Sequence, residues 1–273
     1  MHEITLSADK LIKGLLTLAE TENVCILDSC GVGHLSSHLL IAGIKPSELL
    51  EFSRDDPAET LRIFGEKLGP GNLAAIFTIS YDFGLKLQEI KPCEKELEIL
   101  PEPDIFMALF DCLVLHNYDS KKTYLSGNEA KYAEIADLLN TAKASEKSAA
   151  SRHDKNPSAK SNFSKYAYLK LIEEIKELIR SGDTYQANLT QQLNVELSNE
   201  MSPPAIFARL RQDHPAPFAA FINRKNSTVV SASPERLIRI DTDGSVSVSP
   251  IKGTRPRGKT AEDDNRLRTE LLK

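Results

Sequence analysis

Short apolar runs broken by Gly and Pro fill the first half of the chain. Residues 23–27 (NVCIL), 73–79 (LAAIFTI) and 110–116 (FDCLVLH) have the length and content of strands, while 57–68 and 129–143 repeat apolar residues at helical steps. Residues 144–164 (ASEKSAASRHDKNPSAKSNFS) scatter a few apolar side chains among Ser, Lys, Ala and Asn, the composition of a linker or surface loop. The pattern therefore predicts an N-terminal region over 1–145, a linker or surface loop over 146–162 and a second region over 163–273.

In the second region the periodicity sharpens. Residues 165–180 (KYAYLKLIEEIKELIR) place Tyr168, Leu171, Ile172, Ile175, Leu178 and Ile179 three or four steps apart, which predicts an amphipathic helix. Of Ser161, Asn162 and Ser164, Ser164 is nearest to the free N–H groups of the first turn, and Gly182 is placed to end the last. Strands are predicted over 184–197, 218–223, 227–232, 237–240 and 245–249. The DTDG at 241–244 is a hairpin signal between the last two. A further helix begins near Asp264 and is still running when the sequence reaches Lys273. The expected class is α+β, antiparallel sheets with outer helices, without strand–helix alternation or the Gly-rich loop of a nucleotide fold.

Composition removes several alternatives. The 273 residues are 41% hydrophobic and 27% charged, with 13 Gly, 14 Pro and no Trp, which excludes collagen, coiled coil and general disorder. With 34 basic against 39 acidic residues the net charge is −5, so no broad positive field exists for nucleic acid or anionic lipid. No apolar stretch reaches the roughly 20 residues of a membrane span, and the first nine residues lack signal-peptide character. A cytoplasmic protein is expected. Cys25, Cys30, Cys93 and Cys112 form no C-x-x-C pair and read as reduced, buried or half-buried thiols.

Candidate chemistry concentrates near the end. PIKGTRPRG (250–258) puts Lys252 after an apolar strand and before Gly253, where backbone can approach a ligand. An amine held against apolar walls is a nucleophile or base, although the motif alone better fits a solvated loop lysine, as most lysines are. Glu235 in SPER lies 17 residues upstream, and the DTDG hairpin would fold the two segments together. They make either an acid and nucleophile sharing one cleft or a cross-strand surface ion pair. In GDTYQANLT (182–190), alternation would align Thr184, Gln186, Asn188 and Thr190 as a polar site or a solvent-facing surface. His34 and His38 have helical zinc-ligand spacing, but Leu35 stands where a protease needs Glu and no third ligand is indicated. They read as structural or exposed histidines.

Taken in order, GDTYQANLT, PAPFAAF, SASPERL and PIKGTRPRG resemble the chorismate-utilising enzyme family, which includes anthranilate synthase component I, aminodeoxychorismate synthase component I and the isochorismate and salicylate synthases. LDS (27–29) resembles the strand of its effector pocket and SYDFG (80–84) its YD-containing strand. The resemblance implies an anthranilate synthase component I-like fold whose N-terminal region is 1–145 and whose chorismate-binding catalytic region begins at 163. Lys252 is the residue found in the aminodeoxychorismate synthases, where anthranilate synthases usually carry Ala.

The resemblance thus implies that Lys252 attacks C2 of chorismate while Glu235 protonates the departing 4-hydroxyl. Ammonia from a glutaminase partner then adds at C4, giving 4-amino-4-deoxychorismate on the way to 4-aminobenzoate and folate. It also implies that Gly253 and Thr254 touch chorismate. Ser29, Ser36, Ser37, His38 and Leu39 with Pro217, Phe218 and Ala219 match the pocket that holds tryptophan in some relatives, though 30–39 departs from the usual pattern. Family chains continue past PIKGT to the glutamates that bind Mg²⁺, so the expected metal ligands lie beyond Lys273. No metal ligand is therefore assigned within the 273 residues, and the fold is expected to be incomplete at the C-terminus and the chain alone inactive. An anthranilate synthase component I and an inactive binding module are the competing readings.

Overall fold

A computed structural model describes residues 1–33, 38–53, 56–69, 74–90, 102–142, 159–197 and 201–272. Alternating apolar strands build an antiparallel sheet of seven, in the order β1 (His2–Ile4), β8 (Lys122–Gly127), β7 (Cys112–Asn117), β3 (Leu39–Ile44), β2 (Val24–Asp28), β11 (Phe218–Asn223), β12 (Thr228–Ser233). A second antiparallel sheet has the order β4 (Glu48–Phe52), β6 (Ile105–Phe110), β5 (Ala74–Ile79). Two short ribbons pair β9 (Ala159–Ser161) with β10 (Leu193–Val195) and β13 (Arg239–Ile240) with β14 (Val246–Ser247). Strands from both sides of residues 146–162 thus share one sheet, because β11 lies against β2 with Ala219 opposite Asp28.

The two faces of the large sheet are covered differently. One receives three helices, α1 (Ala8–Leu18), α4 (Tyr132–Thr141) and α6 (Pro203–Asp213). Leu11, Leu15, Ile135, Leu139 and Phe207 join Ile26, Leu40, Val114 and Phe221 there in the main core. The other face meets the small sheet through Cys25, Ile222, Phe106, Ala108 and Phe110. Helices α2 (Pro57–Lys67) and α3 (Tyr81–Leu87) close the far side of the small sheet over Phe52, Phe83 and Ile105. Strand β6 (IFMALF) is buried at every position because both of its faces are covered. The chain crosses between sheets at Asp111, which splits the single strand expected over 110–116.

Most expected elements are present. Helix α5 (Lys165–Ser181) is capped by Ser164, whose hydroxyl accepts from the Ala167 N–H, and ends at Gly182 with φ +84°. The turn Asp241–Gly244 closes β13 on β14, with Gly244 at φ +83°. The helix expected from Asp264 starts three residues earlier as α7 (Ala261–Leu271), capped by Thr260. It is formed to Leu271 with Leu272 as its C-cap, and Lys273 lies outside the described residues.

Other expectations are corrected. Of the strand foreseen over 184–197 only β10 is formed, so the aligned polar face of Thr184, Gln186, Asn188 and Thr190 is not built. Tyr185 stands 94% exposed there, without apolar cover to favour pleating. SYDFG is not a strand: the Ser80 hydroxyl accepts from the Phe83 N–H and starts α3, with Asp82 in the first turn and Phe83 buried. The apolar stripe of α5 is only half covered, with no residue fully buried and Leu178 and Ile179 exposed. The helix expected over 129–143 resolves into a 3-10 turn, Glu129–Lys131, followed by α4. Leu73 and residues 143–158, which include most of the expected linker, lie outside the described residues.

Contact between the sheets depends on Gly43. A Cβ there would stand 2.5 Å from the ring of Phe110, closer than real atoms approach. Gly43→Ala should cost about 1–3 kcal/mol by overpacking, read from the urea midpoint. The added substitution Phe110→Leu should recover part of that loss.

Candidate functional site

Strand β2 runs apolar until Asp28, a carboxylate with no exposed side-chain surface. A buried charge is tolerated only when paired and hydrogen-bonded. Arg211 on α6 donates Nε–H to Oδ2 at 2.7 Å. Tyr118, just past β7, donates its hydroxyl to Oδ1 at 2.7 Å, and the Cys30 N–H donates to the same oxygen at 2.8 Å. Arg211 also donates Nη2–H to the Tyr118 hydroxyl oxygen at 3.0 Å, closing a three-residue ring. Burial, then the charge and hydrogen bond of Asp28, push the Tyr118 phenol up. For Arg211 burial acts downward, but the Asp28 hydrogen bond and charge outweigh it and the guanidinium is held above its usual range.

Around this ring lie most of the residues expected in an effector pocket. Ser29 is buried, its N–H donates to the Leu39 carbonyl at 3.0 Å, and its hydroxyl has no partner among the described residues. Ala219 faces Asp28 across β2 and β11, with Pro217 and Phe218 immediately before it. Ser36 and Ser37, and His34 of the expected histidine pair, lie outside the described residues.

His38 holds the segment after Ser29 to the β7–β8 turn. Its Nδ1 is 2.5 Å from Asp119 Oδ1 and its Nε2 is 3.1 Å from the Gly31 carbonyl oxygen. Only an imidazolium donates to both acceptors. The Gly31 carbonyl, then Asp119, accordingly raise the pKa of His38.

The second cluster begins one strand away. Phe218 pairs with Ser233 at the end of β12, and the Arg236 guanidinium lies 5.7 Å from the Phe218 ring centre. After Pro234 the β13–β14 ribbon returns the chain, and Glu235 Oε1 accepts the Ile251 N–H at 2.9 Å. The hairpin therefore brings Glu235 against the residue preceding Lys252. Glu235, Lys252, Gly253 and Thr254 are all exposed, so the apolar walls foreseen around the lysine are not present among the described residues. This arrangement presents a carboxylate and an amine on adjoining backbone, open to a ligand.

Arg211 and Tyr118 were not singled out from the sequence. The available signal was Asp28 itself, since a carboxylate at the end of a buried apolar strand requires a cationic or hydrogen-bonding partner. Cys25, Cys30 and Cys112 are free thiols, with burial pushing Cys25 up to about 12, while Cys93 lies outside the described residues. Among the described residues no group of three or more His, Cys, Asp or Glu is placed to hold a metal ion. No described helix is long and apolar enough to cross a membrane.

Comparison with known proteins places these motifs in context. A family model described as "chorismate binding enzyme" matches residues 27–273. The aminodeoxychorismate synthase of Streptomyces griseus is 34% identical over 178 residues, 61% of this chain and 24% of that protein. Anthranilate synthase component 1 of Methanothermobacter thermautotrophicus is 30% identical over 228 residues, 81% of this chain and 46% of that protein. The chain thus spans less than half the length of either relative. The crystal structure of anthranilate synthase component I from Streptococcus pneumoniae superposes with a TM-score of 0.66 at 18% identity, over 89% of this chain and 58% of that one, which establishes the fold.

Arg211→Met leaves the Asp28 carboxylate buried without its cation and should cost about 3–5 kcal/mol in urea unfolding. His38 gives a pH test. Its pKa is raised on folding, so its contribution is complete below the unfolded value near 6.5 and is lost as pH rises through the folded value. Burial lowers His116, which acts in the opposite sense by destabilising the fold below the same unfolded value. His38→Gln should therefore lower the melting temperature at pH 5.5 and leave it nearly unchanged at pH 9. An equal loss at both pH values would refute the assignment.

Proposed function

The chain belongs to the chorismate-binding enzyme family, and from that membership we propose that it serves to replace the 4-hydroxyl of chorismate by an amino group, forming 4-amino-4-deoxychorismate. The observation that carries this reading is Lys252 in PIKGT beside the Glu235 carboxylate, which is tied to the N–H of Ile251. Lysine, unlike alanine, offers an amine able to form and break a bond to carbon. The name of the Streptomyces griseus relative agrees with this product, and that of the Methanothermobacter relative with anthranilate.

In the proposed reaction the amine of Lys252 bonds to C2 of chorismate, both conjugated ring double bonds shift (C1=C2 to C1=C6 and C5=C6 to C4=C5), and the C4–O bond breaks. Glu235 gives its proton to the departing oxygen, which leaves as water. Ammonia then bonds to C4, the two double bonds shift back, Lys252 departs with its electron pair, and the added nitrogen returns a proton to the Glu235 carboxylate. The sum is chorismate plus ammonia giving 4-amino-4-deoxychorismate plus water. Gly253 leaves the backbone open for close approach of the substrate, and Thr254 offers a hydroxyl. A glutaminase subunit as the ammonia source and a role in 4-aminobenzoate and folate formation belong to the same proposal. Magnesium does too, but the described residues supply no ligand cluster for it and no step is routed through the ion.

The test is a chain extended past Lys273 by the residues that follow this motif in its relatives, incubated with chorismate and ammonium and read by mass spectrometry. It should release 4-amino-4-deoxychorismate, and release of anthranilate would overturn the product assignment. Lys252→Ala should abolish the protein–substrate adduct in the intact mass. Glu235→Gln should lower kcat by about 10²–10⁴-fold, the usual contribution of a general acid.

A further inference from the structure

Residues 251–258, which contain Lys252, form neither helix nor strand, yet they are held at both ends. At the near end the Ile251 N–H donates to Glu235. At the far end a single carboxylate takes three donors: Asp264 accepts from Arg257 Nε–H at 2.8 Å, from Arg257 Nη2–H at 2.7 Å and from the Gly258 N–H at 2.8 Å. Asp264 stands near the start of α7, whose first turn is fixed by Thr260. The last turn of the same helix lies along the middle of the loop. A Cβ on Gly253 would touch Leu271 at 3.0 Å, and Arg255 Nε is 3.5 Å from Glu270.

Gly258 is required for this closure. A Cβ there would stand 2.1 Å from the Asp264 nitrogen and 2.6 Å from the Asp263 carbonyl carbon, both backbone atoms that cannot turn aside. Arg257 is 89% exposed, so its ion pair adds little to global stability. The forked geometry instead fixes direction, because a guanidinium meeting both carboxylate oxygens cannot swivel freely.

We propose that Asp264 is a positioning residue for Lys252, holding the lysine loop against α7 through Arg257 and Gly258 so that the amine is presented from an ordered backbone. This inference rests on the role given to Lys252 above. A nucleophile must be confined before binding energy can be used to align it, and an eight-residue loop lacking ladder hydrogen bonds is otherwise mobile. The Arg257 hydrogen bond, then the Gly258 N–H, hold the Asp264 carboxyl below the usual carboxylate range, so the clasp persists at neutral pH.

The test uses the 273-residue chain without chorismate, so its outcome is separate from that of the proposed reaction. Two quantities are read: hydrogen exchange of the peptide covering 251–258, and the rate of acetic anhydride labelling at Lys252 relative to exposed Lys170 on α5. In Asp264→Asn, exchange should rise about tenfold, as expected when a local closure is lost, with the other peptides and the melting temperature unchanged. The labelling ratio should shift at least about threefold, since amine presentation follows loop order. Gly258→Ala should reproduce both changes by steric means, and Asp264→Glu should restore both. Unchanged loop exchange and labelling in Asp264→Asn would overturn the proposal, as would a uniform rise across all peptides. Persistence of the substrate adduct in Lys252→Ala would instead refute the catalytic reading and leave the clasp standing.

Discussion

The pairing of β11 with β2 is the constraint on which the rest of the structure depends. It aligns Ala219–Ile222 with Cys25–Asp28 and so joins parts of the chain separated by roughly two thirds of its length. Its end is marked by the carboxylate of Asp28, which could not be buried without Arg211 and Tyr118. Arg211 arrives on the helix that precedes β11, and Tyr118 on the turn that follows β7. One charge therefore fixes α6, β2 and the β7–β8 turn together, while apolar packing of Phe207 on Phe221 supports the same junction.

From that junction the structure leads outward to the candidate chemistry by short steps. Phe218 begins β11, Ser233 opposite it ends β12, and Glu235 follows two residues later to reach Ile251. A single strand thus separates the surroundings of Ser29 from the segment carrying Lys252. The two clusters differ in character. The first is buried and rigidly paired, whereas the second is exposed and ordered by a few directional hydrogen bonds to α7 and Glu235.

What could be read from the sequence follows the range of the forces involved. Gly182 and the DTDG turn were legible because positive φ is a local requirement that glycine meets. The strands around 24–28, 74–79 and 218–223 were legible because their apolar runs are short and bounded. Residues 184–191 misled because alternation signals a strand only where a neighbouring strand and a covered face exist, and among the described residues no strand pairs with them. At SYDFG the capping hydroxyl of Ser80 and the burial of Phe83 decided in favour of a helix. The partner of Asp28 was illegible because Arg211 lies 183 residues away and nothing local connects them. The Glu235–Lys252 juxtaposition was foreseen through the hairpin, but the exposure of both residues was not.

The long reach of the β2–β11 pairing has a consequence during synthesis. Asp28 and Ala219 are 191 positions apart, so at about 5–20 residues per second the edge of β2 waits about 10–40 s for its partner to be made. For that interval a nascent sheet built from β2, β3, β7 and β8 presents open N–H and C=O groups on an apolar strand, the form most prone to pair with a neighbouring chain. The order in which the ribosome delivers the strands thereby sets how long this edge stays open, and slower translation would lengthen its exposure.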